Sequence, residues 1–346
     1  MSRALVISGG GSKGAFAVGV LKELTTLYPD LDFDIYVGTS AGSLVVTLAS
    51  LHQYDLLAQI YTTIKTQDIL ATFNIVDRLN EDSVYNVTPA WNLINTYYPD
   101  QKYTQLQQSE KKVFLTTTCL QNMQLTVFTN DAQSIKPTNY TVTQIINADH
   151  YRKALLASAC EPVFMPPIKV NLHVPGNPNP NFQFVDGGVT KYAGVQMAID
   201  AGATEIFVIL LSPENTAPVN TEFTTLFSLL QQTIDIFTTD VGKNDLLIPD
   251  QYNAALEYIN AVKQKMISAG LTESQVNDFF DTDQISNPFE NKLPLKIFKI
   301  RPEQFLGGGP GGLIFDPAEM KQMLAKGQNA TNQFIASLDP KDITWA

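Results

Sequence analysis

The sequence predicts an α/β protein with a mostly parallel sheet covered by helices. Two observations carry that prediction. Strands and helices alternate through the first 51 residues, and the alternation resumes at a strongly apolar strand over 205–211. Residues 4–7 are a short apolar run closed by glycines, as expected of a strand buried on both faces. Over 14–27, Phe16, Val20, Leu24 and Leu27 recur at helical spacing, and Pro29 stops the helix. Residues 33–37 read as the second strand and 41–51 as the second helix. Helical patterns follow over 55–69 and 88–98, with Pro89 suited to a first turn. The β-rich runs 112–118 and 124–129, separated by Gln121-Asn122, predict a hairpin or neighbouring strands. Residues 142–147 and 151–159 read as helical, 182–185 as a strand and 195–201 as a helix. Residues 213–290 carry helical patterns, notably over 223–237 and 252–267, and read as an insertion or cap. A last strand at 295–300 precedes a closing helix over 317–338, N-capped by Asp316.

Composition narrows the partners. With 23 Lys+Arg against 34 Asp+Glu, the net charge is −11, and only 16% of residues are charged. Wrapping nucleic acid needs clustered Lys and Arg, so that class is excluded, as is a polybasic anchor on anionic lipid. The 44% hydrophobic content argues for a packed core and against disorder. Cys119 and Cys160 are too few for a disulfide scaffold and show no CxxC spacing, so a reduced setting is expected. The N-terminal run is too short for a signal peptide. Residues 35–54 lack Asp, Glu, Lys and Arg, yet their Gly, Ser, Thr, His52 and Gln53 are too polar for a membrane span. The expectation is a cytoplasmic protein, peripheral where it meets membranes, with no transmembrane helix.

Three short motifs carry chemistry. Gly9-Gly10-Gly11-Ser12-Lys13-Gly14 lies between the first strand and the first helix, where backbone N–H groups and the helix N-terminus suit an anion. Its Gly9-x-Gly11-x-x-Gly14 spacing, with Asp34 following, also fits a dinucleotide fingerprint. Gly38-Thr39-Ser40-Ala41-Gly42 sits at a strand-to-helix turn. Small neighbours there let a strained serine project beyond the sheet edge. Because the first two strands join through a right-handed crossover, both motifs face one crevice. A serine nucleophile needs a base. The chain has three histidines, His52, His150 and His173, none late enough for the usual Ser…Asp…His order. Asp186-Gly187-Gly188, ending a β-rich run, offers a carboxylate base instead. Lys13 has two readings, a contact to lipid phosphate or a solvated cation. The run Leu306-Gly-Gly-Gly-Pro-Gly-Gly312 reads as a flexible surface loop, with a mobile flap near the crevice as the alternative.

Together, in this order and on these elements, the three motifs resemble those of the patatin-like phospholipase family. Residues 157–167, Ala157-Ser158-Ala159-Cys160-Glu161-Pro162 through Pro167, resemble the family's segment before its Asp-Gly-Gly strand. The resemblance implies a three-layer α/β/α fold and hydrolysis of lipid acyl esters by a Ser–Asp dyad. Carried onto this chain, Ser40 is the nucleophile and Asp186 the base. Gly9, Gly10, Gly11 and Gly14 form the oxyanion loop, Gly38, Ala41 and Gly42 the elbow, and Gly187 and Gly188 follow the base. The expected substrate is a lipid or phospholipid met at a membrane or micelle, with no metal, no cofactor and no nucleic acid. The expected organisation is one catalytic domain over 1–346 with the helical insertion at 213–290. Two alternatives remain: a Rossmann-type NAD(P) oxidoreductase in which Asp34 meets a ribose, and a non-catalytic lipid-binding protein on the same fold.

Overall fold

A computed structural model describes the chain apart from residues 1, 73–77, 79, 216–217, 219, 221, 282–284, 286–293, 344 and 346. Parts of the predicted 213–290 insertion therefore lie outside the described residues. At the centre of the sheet, β1 (Arg3–Ile7) pairs in parallel with β2 (Ile35–Thr39) on one side and β7 (Glu205–Ile209) on the other. Beyond β2 come β3 (Lys112–Cys119), β4 (Gln124–Thr129) and β5 (Thr141–Gln144), and beyond β7 comes β8 (Lys296–Ile300). Of these neighbours, only β3 and β4 are antiparallel, as the hairpin reading predicts. A further short strand, β6 (Phe184–Asp186), pairs antiparallel with the last residues of β3.

The run 4–7 is continuously apolar because the sheet is covered twice. Leu5 and Ile7 belong to one core and Ala4 and Val6 to the other. The first core lies under α1 (Gly14–Leu27), α2 (Ala41–Ala49), α3 (Tyr54–Thr63), α5 (Thr88–Tyr97), α7 (Ala148–Ala159) and α11 (Pro317–Ser337), with α4 (Thr66–Ile69) and α6 (Asp100–Gln108) at its margin. The second lies under α8 (Val195–Asp200) and the inner face of α9 (Leu226–Ser268). These layers make the three-layer α/β/α architecture. Phe16, Tyr36, Phe114 and Phe207 are among the largest wholly buried side chains, each worth about 1.5–3 kcal/mol in transfer terms. Helix α1 meets α11 at backbone distance. A Cβ on Gly19 would stand 2.0 Å from the Leu324 carbonyl oxygen, and one on Gly327 would stand 2.1 Å from that of Phe16.

Three expectations are corrected. Residues 142–147 are not helical, because Thr141–Gln144 pair in parallel with β4 as an edge strand. The helix expected over 55–69 divides into α3 and α4, broken where Ile64 turns extended. The two helices expected within 213–290 are one, the 43-residue α9, followed by α10 (Glu273–Phe280). Helix α9 runs through Pro249, which lacks the N–H that the Asp245 carbonyl would accept. The Asp245 side chain instead ties the helix to the body. It accepts from Lys191 Nζ (2.8 Å), Tyr192 N (2.6 Å) and Ala193 N (3.2 Å). The charge-free stretch 35–54 is β2, its elbow and α2, and no helix among the described residues is long and apolar enough to cross a membrane.

Candidate active site

Register on β3 brings the serine and aspartate motifs together. Thr39, the last residue of β2, lies opposite Thr116, and Asp186, the last residue of β6, lies opposite Thr117. The two short strands therefore meet end to end along one side of β3, and Ser40 follows where they meet. Its backbone is left-handed, φ 56° and ψ −130°, a strained conformation for a residue with a side chain. Packing maintains it. A Cβ on Gly38 would lie 2.4 Å from Ser43 Cα, and one on Gly42 would lie 2.3 Å from the Ile7 carbonyl oxygen. Ser40 N–H donates to Ser158 Oγ (3.1 Å), which also contacts Ser43 Oγ (2.7 Å), while Ser43 Oγ donates to the Gly38 carbonyl (2.7 Å). Ser43 and Ser158 thus brace the elbow. Composition and spacing gave no sign of that role, although Ser158 lies inside the 157–167 motif.

Asp186 is buried, and Gly188 N–H donates to its Oδ1 at 2.7 Å. Burial pushes its pKa up to about 6, held back by the Ser40 hydroxyl within hydrogen-bonding reach and by the Gly188 N–H. Gly187 packs on β3, where a Cβ would meet Thr116 Oγ1 at 2.2 Å, and Gly188 leaves room for the carboxylate. The glycine loop divides its duties. Gly9 N–H is taken by the Tyr192 carbonyl (3.3 Å), and Gly14 packs beneath Tyr61, away from the cavity. Gly10 and Gly11 line the cavity beside Ser40, and their N–H groups have no acceptor among the described residues. Ala41 N–H, in the first turn of α2, has no intrahelical acceptor.

The run 307–312 is not a free surface loop. Gly312 stacks on the glycine loop so closely that a Cβ on Gly11 would lie 2.3 Å from its carbonyl oxygen. A Cβ on Gly312 would lie 2.2 Å from the Gly10 oxygen. Gly307, Gly308, Gly309, Gly311 and Gly312 all have positive φ, a conformation that favours glycine at each of these positions in the strap.

The cavity measures about 1690 Å³ and combines two chemistries. Leu57 and Ile60 of α3, Leu93 and Ile94 of α5, and Leu156 of α7 line an apolar wing. Lys13, Glu161 and Asp235 line the same cavity. Burial lowers the Lys13 pKa against the pull of Asp235 and Glu161, and Lys13 Nζ sits 4.8 Å from the centre of the Phe305 ring. Lys13 is therefore neither fully solvated nor free of acidic neighbours. Burial first, then the charges of Asp186 and Asp235, push Glu161 up to about 8, with Lys13 opposing. No spacing or pattern pointed to Glu161 or Asp235 as cavity residues.

None of the three histidines is among the residues lining the cavity. His150 is buried, its Nε2 3.1 Å from Asn171 Oδ1 and its ring edge-on to Phe128, and burial lowers its pKa. Asp34 lies at the opposite edge of the sheet from the glycine loop. It precedes β2, and its Oδ2 accepts from Arg3 N at 3.0 Å. A ribose partner of that loop would have to lie at the other end of the strand. Among the described residues, no group of three or more His, Cys, Asp or Glu could hold a metal ion.

No curated protein matches the chain in sequence. Its structure is similar to the crystal structure of VipD from Legionella pneumophila at 12% identity and a TM-score of 0.46, covering 97% of this chain and 67% of that one. The patatin-like phospholipase family matches residues 5–199, which hold the glycine loop, the serine elbow and the Asp-Gly-Gly turn. The chain belongs to the patatin-like phospholipase family and is a lipid hydrolase.

Proposed function

We propose that the protein cleaves carboxylic ester bonds of lipids, as a phospholipase A or lysophospholipase does, with Ser40 as nucleophile and Asp186 as base. The observation that carries this reading is the β3 register, which sets the Asp186 carboxylate beside a serine held in a left-handed elbow. Asp186 takes the hydroxyl proton as Ser40 Oγ attacks the ester carbonyl. The N–H groups of Gly10, Gly11 and Ala41 receive the oxyanion, each such donor being worth about 2.7–4 kcal/mol in comparable sites. Water then attacks the acyl-enzyme and restores the serine.

The apolar wing between α3 and α5 fits the acyl chain. Exposed Ile236, Leu247 and Phe305, all at the cavity, fit a lipid aggregate. On this reading residues 1–346 form one catalytic domain, with α9 and α10 as the cap. The test is labelling with a serine-directed fluorophosphonate alongside ester hydrolysis. The Ser40→Ala variant is expected to lose the label and to lose turnover by about 10⁴–10⁶-fold. A label retained by Ser40→Ala would move the nucleophile elsewhere.

A further inference from the structure

Glu161 directly follows the C-cap of α7 and lines the same cavity as Ser40 and Asp186. Its place is set by the backbone. Asp186 N–H donates to the Cys160 carbonyl at 2.8 Å, which joins this corner to the end of β6. Gly311 of the strap makes room for the carboxyl, since a Cβ there would lie 2.7 Å from Glu161 Oε2. That Oε2 is buried without a hydrogen-bond partner among the described residues. Four titratable groups face it: Asp186 at the end of β6, Asp235 on α9, Lys13 before α1, and Tyr85. The Ser40–Asp186 reaction makes no use of this carboxyl. A buried polar oxygen left unpaired in the free protein is costly, and a substrate oxygen would satisfy it.

We propose that Glu161 is a second catalytic carboxyl, a neutral acid that protonates the leaving alcohol while Asp186 takes the proton of Ser40. The inference rests on the Ser40–Asp186 reading. In acylation the Ser40 O–H bond breaks, its proton goes to Asp186, and Oγ bonds the carbonyl carbon. The ester C–O bond then breaks, and the alcohol oxygen keeps the electron pair and takes the Glu161 proton. Asp186 then gives up its proton, which returns through solvent to the Glu161 carboxylate, and in deacylation the oxygen of water bonds the acyl carbon while one water proton goes to Asp186. The Oγ–C pair returns to Ser40, which recovers its proton from Asp186. One ester and one water become one acid and one alcohol, and both carboxyls end as they began.

Protonation states agree with these roles. Asp186 ionises first, with a pKa of about 6, and Glu161, at about 8, must then ionise beside an Asp186 anion. Near neutral pH one is a base and the other an acid, the separation expected of an acid–base pair.

Leaving-group dependence tests the proposal. A p-nitrophenyl ester releases a stable anion that needs no proton, whereas phosphatidylcholine in mixed micelles releases an alcohol that does. Glu161→Gln is expected to lower kcat on phosphatidylcholine by about 10²–10³-fold, to change p-nitrophenyl ester turnover little, and to abolish the fall in phosphatidylcholine kcat near pH 8. Equal slowing of both substrates, or of neither, overturns the proposal and leaves Glu161 as a wall of the cavity. Fluorophosphonate labelling separates the two readings, because fluoride also departs without a proton. A wild-type protein that does not label fails at Ser40, not at Glu161. If Glu161→Gln itself does not label, Glu161→Asp carries the comparison. Selective loss on phosphatidylcholine then supports the proposal, and equal loss on both substrates overturns it.

Discussion

On the proposed mechanism, Asp186 couples activity and stability to pH through one buried carboxyl. With its charged form as the proposed acceptor of the Ser40 proton, kcat is expected to rise with pH through a midpoint near its pKa of about 6. The stability effect has the opposite slope. The folded pKa lies above the ordinary carboxylate value of 3.8, so between roughly pH 4 and pH 6 the folded chain holds a proton the unfolded chain has lost. The stabilisation is complete below that window and disappears as pH rises through about 6. Asp186→Asn removes the buried charge and is expected to melt higher than wild type at pH 7, by on the order of 2–3 kcal/mol, while losing turnover. Thermal melts at pH 4 and pH 7 check this. An Asp186→Asn advantage that is as large at pH 4 as at pH 7 would contradict the assignment. The candidate serine and aspartate stood out in the sequence because each sits in a short motif with a geometric demand. Glu161 was not, because burial and the company of other charges are properties of the folded chain.

At the scale of elements, the strap 307–312 gives the clearest expectation. Its glycines touch the backbone of the candidate oxyanion loop, so a methyl group at Gly312 has to push that loop away. Gly312→Ala is expected to cost about 1–3 kcal/mol of stability and to lower kcat more than KM worsens. Gly176→Ala is the control. It too has positive φ, but nothing stands within 4 Å of its Cβ, so it should lose stability by about 1 kcal/mol and keep its activity. Steady-state kinetics on both variants check this. The sequence showed the glycines but not the surface they pack on, hence the reading as a surface loop. Edge strand β5 was missed for a related reason. Val142 and Ile145 are three apart, which four or five residues cannot distinguish from a helical face, and pairing with β4 decided the outcome. Helix α6 gave no periodic signal because Leu106 is its only buried residue. The strong alternation of the first 51 residues, by contrast, was read to within two residues at each boundary, since strands buried on both faces and a helix walled in by others leave few alternatives.

At the scale of the molecule, the net charge of −11 bears on the proposed encounter with lipid. Bulk electrostatics would repel an anionic bilayer and leave contact to local apolar groups, and Ile236, Leu247 and Phe305 stand exposed at the cavity. Turnover is expected to be faster on zwitterionic than on anionic vesicles at low salt, with the difference shrinking as salt rises. The pair Ile236→Glu and Phe305→Glu is expected to slow hydrolysis of vesicles by about tenfold or more and to leave a soluble monomeric ester unaffected. Equal effects on both substrates would deny these residues an interfacial role.

Chain order adds a consequence of the close contact between α1 and α11. Ser40, Asp186 and the glycine loop are all synthesised well before the strap and the helix that follow β8. A nascent chain released only as far as Ile300 carries the proposed reacting groups, but lacks the glycine strap that packs on the candidate oxyanion loop and the helix that meets α1 at backbone distance. The proposed site is therefore expected to be complete only late in translation. Polypeptides stopped at Ile300 should resist fluorophosphonate labelling, whereas the whole chain should accept it.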